Sequence, residues 1–341
     1  MTAQRMPDLP ATMPAWRNEE YGSAAGVRFE TVPVPQPKRG EVLLRIRATA
    51  LNAGDVRVML GDPLLVRPFF GLTRPKNPIR GMDVAGTVVA LGDDVNDVAL
   101  GDEVVVELPG GGGLAAYACA PVARLATRPD GVSPQHAACV PIAGGTAWQA
   151  LDLAGLGTTD AARPRRVLIV GASGGVGTFA VQLAAQRGAE VWASCGERNH
   201  SLVQELGAAR TFDHRRRPLA ELPAGHFDAV IDIAGVTPLP RLQRLLAAGG
   251  TAALVGGEGG RVLGPVPRML RAALLSVGSR RSIRPLAAKP LPDVVRGLLG
   301  LVADGRIAPV IEREYPFAEA SAALAHLEAG HVVGKLVVHA A

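Results

Sequence analysis

Residues 167–177 read Val-Leu-Ile-Val-Gly-Ala-Ser-Gly-Gly-Val-Gly, an apolar run that passes directly into a glycine-rich turn. The run has the length and the β-branched ends of a buried strand, and a helix-like stretch follows it to Arg187. Strand-like and helix-like runs keep alternating beyond this point, which is typical of a doubly wound parallel sheet. The further strands are expected at 191–194, 210–212, 229–233 and 251–255, with helices at 201–206 and 240–248.

The glycine-rich turn predicts a phosphate-binding site. In the G-x-G-x-x-G frame, Gly174 takes the second glycine position, where the backbone can approach a pyrophosphate, and Gly177 takes the third, where helix packs on strand. Free N–H groups at the start of the following helix, together with its macrodipole, favour a bound phosphate. The residues expected around the phosphates are Ser173, Gly174, Gly175, Val176 and Gly177.

The end of the second strand predicts which dinucleotide binds. Proteins that bind NAD place Asp or Glu there to hold the ribose 2′-hydroxyl. This chain has Ser194 instead, and Arg198 follows closely as a partner for a 2′-phosphate, so we expect NADP(H). Glu197 leaves a competing possibility, because its carboxylate could pair with Arg198 or bind a ribose itself. His214, just past the third strand, is a further candidate for this pocket.

The N-terminal third of the chain has a different pattern. Apolar and polar residues alternate over 42–48, and further short strands at 86–91 and 103–108 are separated by glycine turns, as in an antiparallel barrel-like domain. Strand-like patterns return after residue 285. We therefore expect one domain from 1–125 with 286–341, and a dinucleotide-binding domain from 126–285. The proline-rich segment 63–78 is interpreted either as a lid over a pocket or as a surface loop.

Composition excludes several classes of protein. The formal net charge is +5, but the arginines are dispersed along the chain and aromatic residues are only 4% of it. Both features argue against a surface that binds nucleic acid. The three cysteines, Cys119, Cys139 and Cys195, form no C-x-x-C pair, which argues against a disulfide framework and a cysteine-rich zinc site. No segment resembles a secretory leader or a membrane span. We expect a cytoplasmic protein with a small-molecule substrate and neither nucleic-acid nor membrane partners.

Several catalytic motifs are absent from the sequence. Tyr21, Tyr117 and Tyr315 are not followed four residues later by lysine, as short-chain reductases require. Neither a G-x-S-x-G elbow, nor a Walker A loop, nor an H-E-x-x-H motif occurs. With a nicotinamide cofactor the cofactor carries the chemistry, and the protein supplies orientation and electrostatics.

Six segments, taken together, resemble the medium-chain dehydrogenase/reductase superfamily, and within it the zinc-free quinone oxidoreductase and enoyl reductase branch. The resemblance spans roughly residues 13–341 and implies a GroES-like β-barrel catalytic domain beside a Rossmann domain, with the active site in the cleft between them. The segments are Leu51-Asn-Ala-Gly-Asp-Val56, Gly81-Met-Asp-Val-Ala-Gly86, Gly101-Asp-Glu-Val104, Gly144-Gly-Thr-Ala147, Gly171–Gly177 and Gly334-Lys335.

The zinc-dependent members of that superfamily carry Cys or Asp near the first segment and Gly-His-Glu at the second. This sequence has Asn52 and Gly81-Met82-Asp83 at these places. A thioether and an amide do not replace histidine and cysteine as zinc ligands. We therefore expect no catalytic metal.

The resemblance also implies roles for individual residues. Asn52 would face the nicotinamide and the substrate, Thr146 would lie against the nicotinamide, Gly256 would approach its carboxamide, and Lys335 would reach the pyrophosphate. Many enoyl reductases of the branch have a donor tyrosine where this chain has Arg57. Arg57 could stabilise an oxyanion but is a poor acid, because the pKa of a guanidinium exceeds about 12. The catalytic candidates are thus Asn52, Arg57 and Thr146, with water as a possible proton source.

The expected function is an NADPH-dependent, zinc-independent reduction of an activated C=C bond or a quinone. Two alternatives stay open. One is metal-free carbonyl reduction or alcohol oxidation, and the other is a protein that binds NADPH as a sensor, structural protein or non-redox cyclase scaffold. Related proteins pair through an edge strand, here expected at 273–278, so a homodimer is a further expectation.

Overall fold

A computed structural model describes residues 9–157, 163–216, 219–256 and 259–341, and its strands and helices are numbered here in chain order. The strands are β1 (Thr12–Arg17), β2 (Arg28–Pro33), β3 (Glu41–Leu51), β4 (Asp83–Leu91), β5 (Glu103–Glu107), β6 (Tyr117–Pro121), β7 (Ala126–Thr127), β8 (Arg166–Val170), β9 (Glu190–Ser194), β10 (Arg210–Phe212), β11 (Phe227–Asp232), β12 (Leu246–Leu254), β13 (Ser282–Pro285), β14 (Ile311–Tyr315) and β15 (Lys335–His339). The helices are α1 (Ala53–Leu60), α2 (Arg67–Phe70), α3 (Pro134–Ala138), α4 (Gly145–Leu153), α5 (Gly175–Gln186), α6 (His200–Glu205), α7 (Leu239–Leu245), α8 (Val266–Ser276), α9 (Pro292–Ala303) and α10 (Ala320–Ala329).

The chain divides into two compact units, of which one consists of Gly144–Lys289. This unit holds a six-stranded, all-parallel sheet in the order β10-β9-β8-β11-β12-β13. That is the doubly wound order in which the first strand, β8, lies at the switch point where ligands bind at the carboxyl ends of the strands. The central strands are buried on both faces, so they are continuous apolar runs, as in the Val167–Val170 core segment.

The other unit consists of the residues up to Ala143 together with Pro290–Ala341. Its main sheet runs β14-β15-β3-β4-β5-β7, with β6 also pairing to β3. All of these pairs are antiparallel except β14 with β15, and β4 is buried along its whole length. The return of the chain after residue 290 therefore completes the sheet that the N-terminal part begins, because β15 pairs directly with β3.

The division of the chain differs in position from the boundaries predicted at 125/126 and 285/286. The first unit extends to Ala143 because α3 packs against β3 and β4. At the other end, Leu286 donates a backbone hydrogen bond to Leu254 (2.9 Å), which keeps the residues after β13 with the parallel sheet.

Two local predictions were wrong. Residues 246–248 were expected to end a helix, but they begin β12, because Leu246 pairs with Phe227 of β11. Residues 273–278 were expected to form an edge strand, but 273–276 end α8 and 277–278 form a turn, and the edge strand is β13. Short runs of leucine and alanine do not distinguish a buried strand from a helix, and the strand partners made the difference.

Across the described ranges, no helix is long and apolar enough to cross a membrane.

Candidate active site

The glycine-rich turn joins β8 to α5 and is fastened to the end of the neighbouring strand. Gly171 has a φ of +86°, and its N–H and that of Ala172 both donate to the carbonyl of Ser194 (3.1 Å each). Gly174, the N-cap residue just before α5, is extended and has no side chain to cap the helix. The first N–H groups of α5 are thus available to an anion, as the sequence predicted for a phosphate.

The third glycine of the turn is the position where the packing is closest. A Cβ atom on Gly177 would lie 2.2 Å from the carbonyl oxygen of Gly171, whereas one on Gly174 would lie 3.7 Å from the same atom. Gly177 therefore holds the turn against α5, while Gly174 has room on the protein side. The close packing at Gly177 agrees with the helix-packing role that the motif predicts, and ligand approach at Gly174 stays a prediction.

The residues expected to choose the dinucleotide surround the end of β9. Ser194 is 2% exposed, and Arg198 lies on the exposed face of a short 3-10 helix, Glu197–Asn199. Glu197, the competitor considered above, forms an ion pair with Arg216 (2.7 Å). That pairing directs the carboxylate toward the loop after β10, and the role of Arg198 at a 2′-phosphate stays a prediction.

Asp213 is a residue of this region that sequence reasoning missed. Its carboxylate accepts the backbone N–H of Arg215 (2.8 Å) and of Glu197 (3.2 Å), and the first of these bonds lowers the pKa of Asp213 most. Asp213 thereby joins the loop after β10 to the loop that carries Arg198. His214 is exposed beside it, 3.8 Å from its carboxylate. The sequence signal that could have identified Asp213 is its position directly after the end of β10.

In the first unit, Asn52, Asp83 and Lys335 form a buried polar cluster. Asn52 lies at the start of α1, Asp83 begins β4, and Lys335 begins β15. The Lys335 ammonium donates to Asn52 Oδ1 (2.5 Å), and Asn52 Nδ2 donates to Asp83 Oδ2 (3.0 Å). The three residues are 8% exposed or less. We call them the amide cluster, because the Asn52 amide is held at both ends.

The electrostatics of the amide cluster are set by burial. Burial raises the pKa of Asp83 to about 8, and the Lys335 ammonium, 3.9 Å away, opposes that rise. The backbone N–H of Ile142 also donates to Asp83 Oδ2 (3.1 Å), while Oδ1 is buried without a hydrogen-bond partner. The raised pKa favours the protonated form of the Asp83 carboxyl near neutral pH, in a site of low dielectric constant.

Asp55 fixes the backbone around this cluster. Its two carboxylate oxygens accept the N–H of Asn52 (2.9 Å) and of Gly81 (2.9 Å). It is 1% exposed, and burial raises its pKa. Asp55 therefore ties the start of α1 to the segment that enters β4, which keeps Asn52 and Asp83 in register.

The side chains present do not fit a catalytic zinc ion. The amide cluster already contains a cation, the Lys335 ammonium, within hydrogen-bonding distance of the Asn52 oxygen. Met82 stands at the position where zinc enzymes have histidine. Its Cε packs beside Gly54, 2.8 Å from where a Cβ on that glycine would be. In the described part of the chain, no group of three or more His, Cys, Asp or Glu side chains could hold a metal.

The other predicted residues are placed as follows. Thr146 lies half-buried in the first turn of α4. Gly256 follows β12 and packs closely against Ile233, because a Cβ on Gly256 would lie 2.1 Å from the carbonyl oxygen of Ile233. Arg57 is exposed in the last turn of α1. Lys335 was expected at the pyrophosphate, but its ammonium is buried on Asn52, which does not support that role. The roles at the nicotinamide stay predictions.

Known families match both parts of the chain. Residues 38–130 match the family described as alcohol dehydrogenase GroES-like domain. Residues 206–338 match the family described as zinc-binding dehydrogenase. A barrel-like sheet with a GroES-like sequence and a parallel sheet with a phosphate-binding turn define a two-domain dinucleotide-dependent dehydrogenase or reductase.

Whole-length relatives narrow this class. A chloroplast envelope quinone oxidoreductase homolog from Arabidopsis thaliana is 37% identical over 94% of this chain and 96% of its own. A chloroplastic NADPH-dependent alkenal/one oxidoreductase from the same plant is 29% identical over 97% and 80%. The solved structure of the quinone oxidoreductase from Coxiella burnetii matches with a TM-score of 0.84 and 27% identity, over 96% of this chain and 99% of that one.

The chain belongs to the medium-chain dehydrogenase/reductase superfamily, in its quinone oxidoreductase and enoyl reductase branch. The predictions of the fold class, of an NAD(P)H-dependent oxidoreductase and of NADP(H) as the cofactor are confirmed. The predicted cytoplasmic location has no support in these comparisons, because the two plant relatives are chloroplastic.

Proposed function

We propose that this protein uses NADPH to reduce the activated C=C bond of an enone, or a quinone, without zinc. The observation that carries this proposal is the amide cluster. Its polar side chains, Asn52 and Asp83, already surround the buried Lys335 ammonium, whereas a metal-dependent enzyme would need side chains free to bind the metal ion. The relatives named for quinones and alkenals support the same substrate classes.

The bound cofactor supplies hydride, and the protein must manage the charge that then develops on oxygen. An enolate or a hydroquinone anion is stabilised most by donors that are preorganised in a site of low dielectric constant. Lys335 uses one ammonium proton on Asn52, and Asn52 in turn donates to Asp83. The amide therefore cannot rotate, and the proton on Asp83 is available near neutral pH because burial raises the pKa of that carboxyl to about 8. We assign to the cluster the roles of positioning Asn52 and storing protons.

Arg57 and Thr146 remain the other proposed participants. Arg57 is an exposed cation on α1, three residues after Gly54. Its guanidinium is better suited to stabilising an oxyanion than to transferring a proton. Thr146 would orient the nicotinamide from the first turn of α4.

NADPH oxidation should be measured with three acceptors: a quinone, an enone and an aldehyde. Turnover with the quinone or the enone and none with the aldehyde is expected, because a conjugated acceptor takes hydride at carbon without a Lewis acid. Turnover with the aldehyde alone would favour metal-free carbonyl reduction. NADPH binding without turnover on any acceptor would favour the non-redox alternative.

Metal dependence is checked in the same assay. Turnover should survive dialysis against a chelator, and elemental analysis of the purified protein should find zinc well below one ion per chain. Stoichiometric zinc, or activity that is lost on chelation and restored by zinc, contradicts the proposal.

Arg198→Ala should raise the Kd for NADPH about tenfold and leave that for NADH nearly unchanged, because an exposed charged contact to phosphate contributes at the low end of about 1.5–3 kcal/mol. Fluorescence titration of both dinucleotides measures this. Arg210→Ala is the matched control, since Arg210 begins β10, away from the carboxyl ends of the strands, and its guanidinium stacks on the Trp192 ring (4.5 Å to the ring centroid). Equal losses for NADPH and NADH in Arg198→Ala would exclude Arg198 from the 2′-phosphate site.

A homodimer also stays a prediction. α8 and the residue that follows it expose three apolar side chains, Leu270, Leu274 and Val277, which are 63–80% exposed, and α8 packs beside the edge strand β13. An apolar surface next to an unpaired strand edge supports pairing with a second copy.

A further inference from the structure

A cavity of about 420 Å³ lies in the first unit, directly beside the segment that enters β4. Its apolar wall includes Val58, Phe69, Phe70 and Met82. The volume is in the range of sites that bind small molecules. Phe69 and Phe70 come from the proline-rich segment 63–78, so this segment lines the cavity, and its interpretation as a lid stays a prediction.

A buried arginine, Arg80, lines this cavity. It is 1% exposed, and its Nε and Nη2 are buried without a hydrogen-bond partner. The nearby Asp55 attracts the guanidinium charge, but the Asp55 oxygens accept their hydrogen bonds from Asn52 and Gly81. Unsatisfied donors on a buried cation are costly, so the unpartnered Nε and Nη2 of Arg80 call for an anionic partner.

The charges on the cavity wall are unequal. Lys76, Arg80 and Arg124 supply three cations, and Glu107 supplies the one carboxylate among the lining residues. Burial raises the pKa of Glu107, and the Arg124 guanidinium opposes that rise. An apolar cavity with excess positive charge selects a ligand that is apolar along its length and anionic at one end.

We propose that the substrate of this protein is an enone or quinone that carries a carboxylate, and that Arg80 binds this carboxylate. The inference rests on the proposed function for the reaction, and on the cavity for the anion. Met82 and Val58 pack on the apolar body of the ligand, while Lys76 and Arg124 add to the attraction for its charged end.

A matched pair of substrates tests the proposal: 3-benzoylacrylate and its methyl ester, which share the same C=C bond. With NADPH in excess, wild-type kcat/KM should be at least about tenfold higher for the acid than for the ester. Arg80→Met should lower this acid-to-ester ratio by about 10- to 100-fold, the range of a buried hydrogen bond to a charged group. An acid that is no better than the ester in the wild type, or a ratio that Arg80→Met leaves unchanged, overturns the proposal.

A binding measurement separates this proposal from the proposed function. Calorimetric titration with 3-benzoylpropionate, the saturated acid, needs no turnover. If neither substrate is reduced but the saturated acid binds and Arg80→Met weakens that binding, the anion site stands and the reductase proposal fails. If both substrates are reduced equally and the saturated acid does not bind, the reductase stands and the anion site fails.

A double variant of the two other cations on the cavity wall, Lys76 and Arg124, which we call the rim residues, tests the site if Arg80→Met does not fold. Lys76 is exposed and Arg124 is half-buried, so Lys76→Met with Arg124→Met should fold. The double variant should lower the acid-to-ester ratio about three- to tenfold, since exposed charges are screened by solvent. Arg74→Met, on the same segment but outside the cavity wall, should leave the ratio unchanged. An equal effect of the rim and Arg74 variants contradicts the site.

Discussion

Lys335→Met should lower the free energy of unfolding by about 3–5 kcal/mol near pH 9, because it removes the cation from a buried pair and leaves Asp83 unpaired. Lys335 is 3% exposed and Asp83 is 0% exposed, so water does not replace the lost ammonium. Near pH 6 the loss should be smaller, about 1–3 kcal/mol, the cost of the Asn52 oxygen that loses its donor. Urea denaturation at the two pH values measures both losses.

The direction of the pH dependence follows from the raised pKa of Asp83. Its folded pKa, about 8, lies above the ordinary value of 3.8, so its contribution to stability is present at low pH and is lost as pH rises from about 4 to about 8. Without Lys335 the folded pKa rises further, since the ammonium is the main group that lowers it. The variant should therefore keep losing stability above pH 8.

A second substitution identifies the cause of that loss. Asp83→Asn in the Lys335→Met background removes the buried carboxyl, so it should recover most of the stability near pH 9 and abolish the extra pH dependence. Lys38→Met, at an exposed lysine, should change stability by less than about 0.5 kcal/mol. A loss of equal size at both pH values, or no recovery with Asp83→Asn, would show that Lys335 acts through packing alone.

Gly177→Ala should weaken NADPH binding about 100-fold and lower the stability of the cofactor-free protein by about 1–3 kcal/mol. The added Cβ would lie 2.2 Å from the carbonyl oxygen of Gly171 and 2.6 Å from the carbonyl carbon of Ala172, so the turn must move away from α5. Thermal unfolding without cofactor and fluorescence titration with NADPH give the two quantities.

Gly174→Ala separates the two roles of the turn. Its Cβ meets no atom closer than 3.7 Å, so the cofactor-free protein should keep its stability while NADPH affinity falls, because the methyl group occupies the approach of the pyrophosphate. Gly297→Ala, on α9 with open space around it, is the control for glycine replacement and should lose neither stability nor affinity. If Gly174→Ala destabilises the protein as much as Gly177→Ala, the assignment of their roles is wrong.

The parts of the fold that were predicted correctly depend on local signals. The apolar run Val167–Val170, its glycine turn and the helix after it are specified by neighbouring residues, so β8 and α5 were expected where they occur. The end of α7 was not, because Leu246 becomes a strand residue only through its pairing with β11. The exposed leucines of α8 were likewise assigned to a strand, since their short apolar run has no decisive period.

The sequence by itself determined the class of this protein, because a phosphate-binding turn needs glycines at fixed spacings along one stretch of chain. From the residue types of Asn52 and Met82 it also predicted that no catalytic zinc ion is bound. Only the tertiary structure brought Lys335 to Asn52 across 283 positions of the chain. Only the structure showed Arg80 buried beside a cavity with unpaired donors. Burial and partnership depend on which strands pair, and the residues that pair are distant in the sequence.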